Sequence, residues 1–162
     1  MFNIFGNKQK KEEILAPLTG EVLALSEVPD KVFAAKTVGD GVAIKPTGNQ
    51  LLAPVAGEVK QLFPTKHALG IETETGVELL IHIGINTVEL DGEGFEKFVD
   101  KGDQINVGDK LIEFDLDYIA ENATSIITPV VITNIKDLEG FEIADLKQVT
   151  AGQDKLLTVN VE

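Results

Sequence analysis

The chain has 162 residues, of which 43% are hydrophobic, so it is long enough to bury one core and is expected to form one domain. It has no cysteine, which excludes disulfides, iron–sulfur clusters and a thiol nucleophile. The formal net charge is −13 and all 14 cationic side chains are lysines, a composition that opposes nucleic-acid binding and removes guanidinium clamps for phosphate.

Residues 1–13 are predicted to form a flexible N-terminal tail. The apolar residues Phe2, Ile4 and Phe5 precede three lysines within residues 8–11. The alternative to a disordered tail is a short amphipathic segment on a membrane surface, which would anchor only weakly. No run in the sequence approaches the roughly 20 apolar residues of a membrane span, so we predict a cytoplasmic protein without stable membrane insertion.

From Ile14 onward, short apolar or alternating runs are separated by glycine, proline, asparagine and aspartate, as is typical of β-strands joined by turns. This pattern predicts an all-β fold, an antiparallel β-sandwich or flattened barrel, as a single domain over residues 14–162. The only predicted helix is short, with Asp115 as its N-cap and its end near Ala123. Strands are predicted within Glu21–Ser26, Lys31–Ala34, Val42–Lys45, Ala56–Phe63 and Lys110–Asp115.

A repeated segment indicates internal duplication. Ile14–Val22 reads Ile-Leu-Ala-Pro-Leu-Thr-Gly-Glu-Val and recurs 37 residues later as Leu51–Val59, with identity at six of nine positions. A second echo, Val-Gly-Asp, pairs Val38–Asp40 with Val107–Asp109, and each copy precedes a strand-like run. Duplicated β units packed face to face would explain both echoes.

The two histidines flank a predicted hairpin, in which two strand-like runs surround the polar segment Thr73–Gly76. A four-residue turn there places residues opposite each other when their numbers sum to 149. His67 then faces His82, with the two Cβ atoms about 4.5–5.5 Å apart. The same alternation assigns four more side chains to the histidine face, namely Leu69, Ile71, Glu78 and Leu80.

A histidine pair of this kind has three interpretations. A neutral imidazole is nucleophilic, and its phosphorylated form can pass phosphate onward, with the second imidazole and the backbone N–H groups beside Gly84 as donors to the phosphoryl oxygens. Zinc bridged by His67 and His82 is the second interpretation, but zinc sites normally use three or four protein ligands and the chain has only two histidines. An aspartate or glutamate would have to complete the site, and Glu78 is nearby. A purely structural pair is the third. No cofactor is predicted to be required.

Seven segments carry a resemblance to a known family: Val38–Asn49, Leu52–Val55, Thr65–Ala68, Gly76–Leu79, His82–Leu90, Gly92–Phe95 and Thr128–Ile132. Through them the chain resembles the glucose-type enzyme IIA proteins and domains of the bacterial sugar phosphotransferase system, over essentially Leu15 to Val161. The resemblance supports the antiparallel β-sandwich and the cytoplasmic location.

The resemblance implies a phosphotransferase component that works through a phosphohistidine. Such a protein accepts a phosphoryl group from the phosphocarrier HPr on His82, at the tele nitrogen, and transfers it to a cysteine of a sugar-specific IIB domain during sugar uptake. His67 is similar to the family's second histidine, which stabilises the phosphoryl group. Thr65 is similar to the threonine that orients this second histidine.

The resemblance also implies an apolar docking patch for both partners, made of Phe33, Val38, Phe63, Leu80 and Val88. Asn86 stands where some family members have aspartate, which removes a negative charge beside the dianionic phosphoryl group and is expected to alter the electrostatics of partner binding while the chemistry persists. Regulatory targets, such as transporters or metabolic enzymes, form a second class of partner for the patch. The sequence has no segment long enough for a IIB or membrane IIC domain, so we expect a free-standing shuttle or an excised domain.

Overall fold

The structure, a computed structural model, describes residues 10–162, and within that range the chain forms fourteen strands and two short α-helices. The helices are α1 (Lys31–Ala34) and α2 (Leu116–Asn122). The strands are β1 (Lys11–Leu15), β2 (Gly20–Ala24), β3 (Asp40–Pro46), β4 (Gln50–Leu52), β5 (Gly57–Leu62), β6 (Ala68–Glu72), β7 (Glu78–His82), β8 (Phe95–Lys97), β9 (Gln104–Ile105), β10 (Lys110–Phe114), β11 (Thr128–Ile132), β12 (Gly140–Ile143), β13 (Gln148–Val149) and β14 (Lys155–Asn160).

The strands pair antiparallel in one large and two small sheets. The large sheet has the order β13-β2-β3-β11-β7-β6-β5-β9, and the small sheets have the orders β1-β14-β12 and β4-β10-β8. One core cluster contains fully buried residues from all three sheets, among them Ile14, Ile81 and Ile112. The small sheets therefore pack against the large one, and the predicted all-β antiparallel sandwich with only short helices is confirmed.

The repeated segments occupy equivalent places in the fold. The N–H of Leu15 donates to the carbonyl of Pro54, and the N–H of Leu52 donates to that of Pro17, both at 2.9 Å. Leu15 and Leu52 are equivalent positions in the repeat, and so are Pro17 and Pro54. Each of the two bonds is therefore the repeat equivalent of the other. In the large sheet, β2 and β3 on one side occupy the same places as β5 and β6 on the other side. Strands β7 and β11 are neighbours at its centre. These features support the predicted duplication.

The second echo does not belong to this duplication. Val38–Asp40 leads into β3, inside the large sheet, whereas Val107–Asp109 leads into β10, the middle strand of a small sheet. The two copies therefore have different surroundings. Their shared Val-Gly-Asp is local turn chemistry before a strand, and the prediction that duplication explains it is wrong.

The helix at Asp115 is confirmed, because the Asp115 carboxylate accepts a hydrogen bond from the N–H of Tyr118 at 3.0 Å. The segment Lys31–Ala34, however, is helix α1 and not the predicted strand. The Asp30 carboxylate accepts from the N–H groups of Val32 and Phe33 at 2.8 and 3.4 Å. This N-cap turns the chain into a helix despite an apolar pattern that also suits a strand.

Strand β1 begins inside the range predicted to be a tail. Lys11, Glu12 and Glu13 pair with Asn160, Val159 and Thr158 of β14, so these three residues belong to a sheet. Residues 1–9, with the amphipathic alternative, lie outside the described residues. None of the helices within residues 10–162 has the length and apolar character needed to cross a membrane.

Candidate active site

Strands β6 and β7 form the hairpin that joins the two histidines. Ala68 pairs with His82 and Glu72 pairs with Glu78, so the loop has five residues, Thr73–Val77. Residue numbers across the ladder sum to 150, and the predicted register is wrong by one residue. The Thr73 hydroxyl accepts from the N–H of Val77 at 3.1 Å, which stabilises a loop one residue wider than the predicted turn.

The register correction moves two side chains to the other face of the hairpin. Leu69 opposes Ile81 and Ile71 opposes Leu79, and all four side chains are buried in the core. Leu69 and Ile71 therefore do not share the face of His82. Leu80 and Glu78 do share that face, as predicted, because they lie two and four residues before His82 in the same strand.

His67 nevertheless contacts His82, because it lies just outside β6, where strict alternation ends. The preceding residue, Lys66, has a φ of 63°, a left-handed conformation that redirects the chain. The carbonyl of His67 accepts from the N–H of Ile83 at 2.7 Å. The two imidazole centroids are 4.8 Å apart, with the ring planes at 77°. The predicted proximity of the two imidazoles is thus present, but it arises from a turn and not from direct pairing of the two histidines.

The hydrogen bond of His82 defines its tautomer. Nδ1 lies 2.7 Å from the carbonyl oxygen of Gly84, which can only accept, so Nδ1 carries the proton and Nε2 keeps its lone pair. Burial lowers the pKa of His82 below 6.5, although the Gly84 hydrogen bond and the charge of Asp30 act in the opposite direction. His82 is therefore neutral at neutral pH, with Nε2 as a nucleophilic nitrogen.

His67 is more enclosed than His82. It is only 2% exposed, and its Nδ1 lies 2.6 Å from the Thr65 hydroxyl. Burial, and then the charge of His82, lower the pKa of His67 to about 4. A neutral His67 whose Nδ1 accepts from Thr65 holds its proton on Nε2 and can donate it to a neighbouring oxygen.

Two phenylalanine rings flank the imidazole pair. Phe33 of α1 lies 5.2 Å from the ring of His82, and Phe63 lies 5.3 Å from the ring of His67, between centroids. Phe33 is buried in a small second core, against which Val38 and Leu80 pack as partly buried side chains. Three predicted patch residues are therefore grouped beside His82, and Phe63 contacts the other imidazole.

The remaining predicted partner residues lie on the loop after His82. Val88 is exposed, within a 3₁₀ turn, Thr87–Leu90. Asn86 is exposed as well, and its amide donates to the Thr124 hydroxyl at 2.6 Å. Neither residue belongs to the second core cluster. A role in docking stays a prediction for all six residues.

The backbone N–H groups around Gly84 are already bonded within the fold. Ile83 donates to the carbonyl of His67, Gly84 to the hydroxyl of Thr128 at 3.2 Å, and Ile85 to the carbonyl of Ser125. They do not supply the predicted donors to a phosphoryl group. The Gly84 carbonyl and the Thr128 hydroxyl have roles that are not predicted from the sequence, although both residues lie in segments that carry the family resemblance.

Metal ligands are sparse around the pair. Glu78, the third ligand considered for zinc, pairs with Glu72 at the end of β7 opposite to His82. In the described part of the chain, no three histidine, cysteine or acidic side chains are grouped to hold a metal ion. The donor set beside His82 therefore consists of the two imidazoles.

A partly exposed, neutral imidazole beside a buried one, on an antiparallel β-sandwich, suits covalent group transfer through histidine. Comparisons with known proteins show the family. Residues 12–138 match the family model of the phosphoenolpyruvate-dependent sugar phosphotransferase system, EIIA 1. The chain therefore belongs to this family of phosphotransferase components, and the resemblance found in the sequence is confirmed.

Individual relatives cover nearly the full chain. The glucose-specific EIIA components of Staphylococcus epidermidis and Staphylococcus aureus are 49% and 48% identical, each over 94% of this chain and 92% of the relative. The structure of the glucose permease IIA from Mycoplasma capricolum matches with a TM-score of 0.88 and 42% identity, over 97% of this chain and 99% of that one.

Proposed function

We propose that this chain is a cytoplasmic phosphoryl carrier, which accepts a phosphoryl group from phospho-HPr on Nε2 of His82 and transfers it to a cysteine of a IIB domain. The observation that carries the proposal is the 2.7 Å bond between Nδ1 of His82 and the Gly84 carbonyl. That bond leaves Nε2 as the unprotonated nitrogen. The similarity to glucose-specific components favours a glucose permease as the recipient.

Exposure supports a division of labour between the histidines. His82 is partly exposed, whereas His67 is buried and bonded to Thr65. A partner protein can therefore approach His82 more readily than His67. We assign His82 as the nucleophile and His67 as the donor that stabilises negative charge on the phosphoryl oxygens, with Thr65 fixing the tautomer of His67.

The two transfer steps balance as substitutions at phosphorus. In the first, the lone pair of His82 Nε2 forms the new N–P bond while the N–P bond of phospho-HPr breaks and its electrons return to the HPr imidazole. Nδ1–H stays in place, and the Gly84 carbonyl stabilises the resulting phosphoimidazolium. In the second, a cysteine thiolate of IIB forms an S–P bond, and the Nε2–P electrons return to His82.

The docking proposal follows from the position of the apolar side chains. Phe33, at 7% exposure, contributes mainly through its contact with His82. Val38, Leu80 and Phe63 are partly buried, and Val88 is exposed, so these four offer apolar surface around the imidazole pair. Apolar surface beside a reactive group is suited to transient contact with more than one partner.

Mass spectrometry tests the assignment of His82. The wild-type chain, incubated with enzyme I, HPr and phosphoenolpyruvate, should gain one phosphoryl group that is labile in acid and stable in base. His82→Ala removes the nucleophile and should abolish the adduct. Labelling that persists in this variant would contradict the proposal.

His67→Gln tests the supporting role. Glutamine retains a donor group but not the imidazole, so the adduct on His82 should still form, while transfer to a IIB domain should slow by about 10²-fold or more. The measurement is decay of the isolated phosphoprotein after IIB is added. A variant that cannot be phosphorylated at all would place His67 in the acceptor step instead.

A further inference from the structure

One peptide unit beside the active site is held from both sides by buried hydroxyl groups. In the unit that joins Ile83 to Gly84, the carbonyl of Ile83 accepts from the Thr87 hydroxyl at 2.6 Å. The N–H of the same unit, on Gly84, donates to the Thr128 hydroxyl at 3.2 Å. Both threonines are 0% exposed, so water does not substitute for either contact.

We propose that Thr87 and Thr128 are positioning residues, which fix the Ile83–Gly84 peptide so that the next carbonyl, that of Gly84, selects the reactive tautomer of His82. The inference rests on the proposed function of His82 and extends it to two residues that touch neither the phosphoryl group nor the imidazole. Their effect reaches His82 through the backbone.

The hydroxyl of Thr128 both accepts and donates a hydrogen bond in this arrangement. It accepts from the Gly84 N–H and donates to the carbonyl of Ile126 at 3.0 Å. Its hydrogen and one lone pair are thus both used, which defines the direction of the bond to Gly84. Because Thr128 begins β11, the strand next to β7, the central pair of the large sheet sets the position of this hydroxyl.

Gly84 itself needs this support because its backbone is left-handed, with a φ of 70°. A Cβ at this position would lie 2.7 Å from Cγ2 of Thr87 and 2.8 Å from the carbonyl oxygen of Ser125. Glycine is therefore required, and glycine is also the residue whose peptide reorients most easily. The two threonines limit that freedom on the N-terminal side of Gly84.

The hydrogen bonds of Thr87 and Thr128 to the Ile83–Gly84 peptide are called the clamp below. Loss of the clamp would affect the chemistry through the proton on His82. If the Gly84 carbonyl turns away, Nδ1–H loses its acceptor and the tautomer with the proton on Nε2 becomes competitive. That tautomer has no lone pair on Nε2 and cannot attack phosphorus there. The Ile85 N–H, in the same peptide unit as the Gly84 carbonyl, also donates to the Ser125 carbonyl at 2.9 Å. The clamp thus acts together with this bond in keeping the neutral protein competent for transfer.

Nitrogen-15 NMR of the imidazole distinguishes the two tautomers and does not require phosphorylation. Wild type should contain the Nδ1–H tautomer of His82. Thr128→Val, which keeps the shape and removes the hydroxyl, should yield a mixture of tautomers and slow phosphorylation by about tenfold, equivalent to 1.4 kcal/mol in the barrier. Thr128→Ser, which restores the hydroxyl, should return both properties toward wild type. Thr87→Val provides a second test if Thr128→Val does not fold.

Thr73→Val is the matched control. Thr73 is also buried, and its hydroxyl also accepts from a backbone N–H, but at the opposite end of the same hairpin. This variant should lose stability and keep the Nδ1–H tautomer. The proposal is overturned if both clamp variants keep the wild-type tautomer, or if Thr73→Val changes it equally. Failure of the proposed function would instead appear as labelling that survives His82→Ala.

Discussion

At the scale of single residues, the two imidazoles of the site have the same chemistry but different surroundings. His82 donates from Nδ1 to a backbone carbonyl and is partly exposed, whereas His67 is buried and bonded to a hydroxyl. A carbonyl can only accept, so it places the proton of His82 on Nδ1, whereas a hydroxyl that donates to Nδ1 of His67 leaves the proton of that ring on Nε2. Nε2 of His82 therefore keeps its lone pair, and burial keeps His67 neutral beside it.

Burial of His67 predicts a loss of stability in acid. Its pKa is about 4 in the folded chain against an ordinary value of 6.5, so between these values the unfolded chain binds the proton and the folded chain does not. The free energy of unfolding should therefore fall as the pH decreases through this range. The share of His67 between pH 7 and pH 5 is about 2 kcal/mol.

Urea denaturation at these two pH values checks the expectation. His67→Gln removes the titrating group, so the variant should lose less stability than wild type between pH 7 and pH 5. Equal losses in the two proteins would mean that His67 does not resist protonation in the fold. His82 also has a lowered pKa, so His82→Ala should reduce the acid sensitivity in the same direction.

The sequence predicts which residues form the site better than it predicts how they meet. With only two histidines in the chain, the sequence identifies both members of the pair. Their contact does not follow from strand alternation, because it depends on the left-handed turn at Lys66. The register does not follow either, because it depends on the Thr73 hydroxyl closing a five-residue loop. The Gly84 carbonyl and the Thr128 hydroxyl come from a left-handed turn and a strand 44 residues away, and neither has a periodic signal.

At the scale of elements, helix α1 is a single turn that places Phe33 against the ring of His82. Its Asp30 cap starts the turn, and Phe33 then packs against the ring of His82. A strand over Lys31–Ala34, as the apolar pattern predicts, would not have used this cap. The fold here follows capping rather than periodicity, since four residues are too few for periodicity to be decisive.

Asp30 combines two effects that substitution can separate. Asp30→Ala removes both the cap and the charge, and should cost about 1 kcal/mol of stability. Asp30→Asn keeps an accepting oxygen at the cap and should cost less. Because the charge of Asp30 raises the pKa of His82, that pKa should decrease in both variants. Urea denaturation measures the change in stability, and an NMR titration of His82 measures the change in its pKa. A pKa that changes only in Asp30→Ala would mean that the charge of Asp30 does not raise the pKa of His82.

At the scale of the whole molecule, the two halves are interlocked. Each echo segment bonds to the other through the exchanged Leu15–Pro54 and Leu52–Pro17 pairs, and one core cluster includes residues of every sheet. Neither half has a complete core of its own. The overall class was predictable from alternating runs and turn residues, but the order of eight strands in one sheet was not, since it arises from long-range pairing.

Interlocking predicts one cooperative unfolding transition. Ile14 and Leu51 are equivalent in the repeat and both are 0% exposed, so Ile14→Ala and Leu51→Ala should each cost about 2–5 kcal/mol. Calorimetry should give a single transition in each variant, with equal calorimetric and van 't Hoff enthalpies. Val107→Ala, at an exposed position, should change stability by less than about 0.5 kcal/mol. Two separate transitions would contradict the interlocked core.

The duplicated frame has a consequence for stoichiometry. Val22 pairs with Ile44 and Ile44 with Thr128, while Val59 pairs with Ile71 and Ile71 with Leu79. Val22 and Val59 are equivalent in the repeat, so Ile44 is equivalent to Ile71 and Thr128 to Leu79. Counting along these strands makes Val131 the counterpart of His82 and Asp40 the counterpart of His67. The second half therefore repeats the scaffold with an aliphatic side chain at the position of His82. On the proposed function, each polypeptide carries at most one phosphoryl group, so a phosphorylated sample should contain only the unmodified chain and the chain with one added phosphoryl group.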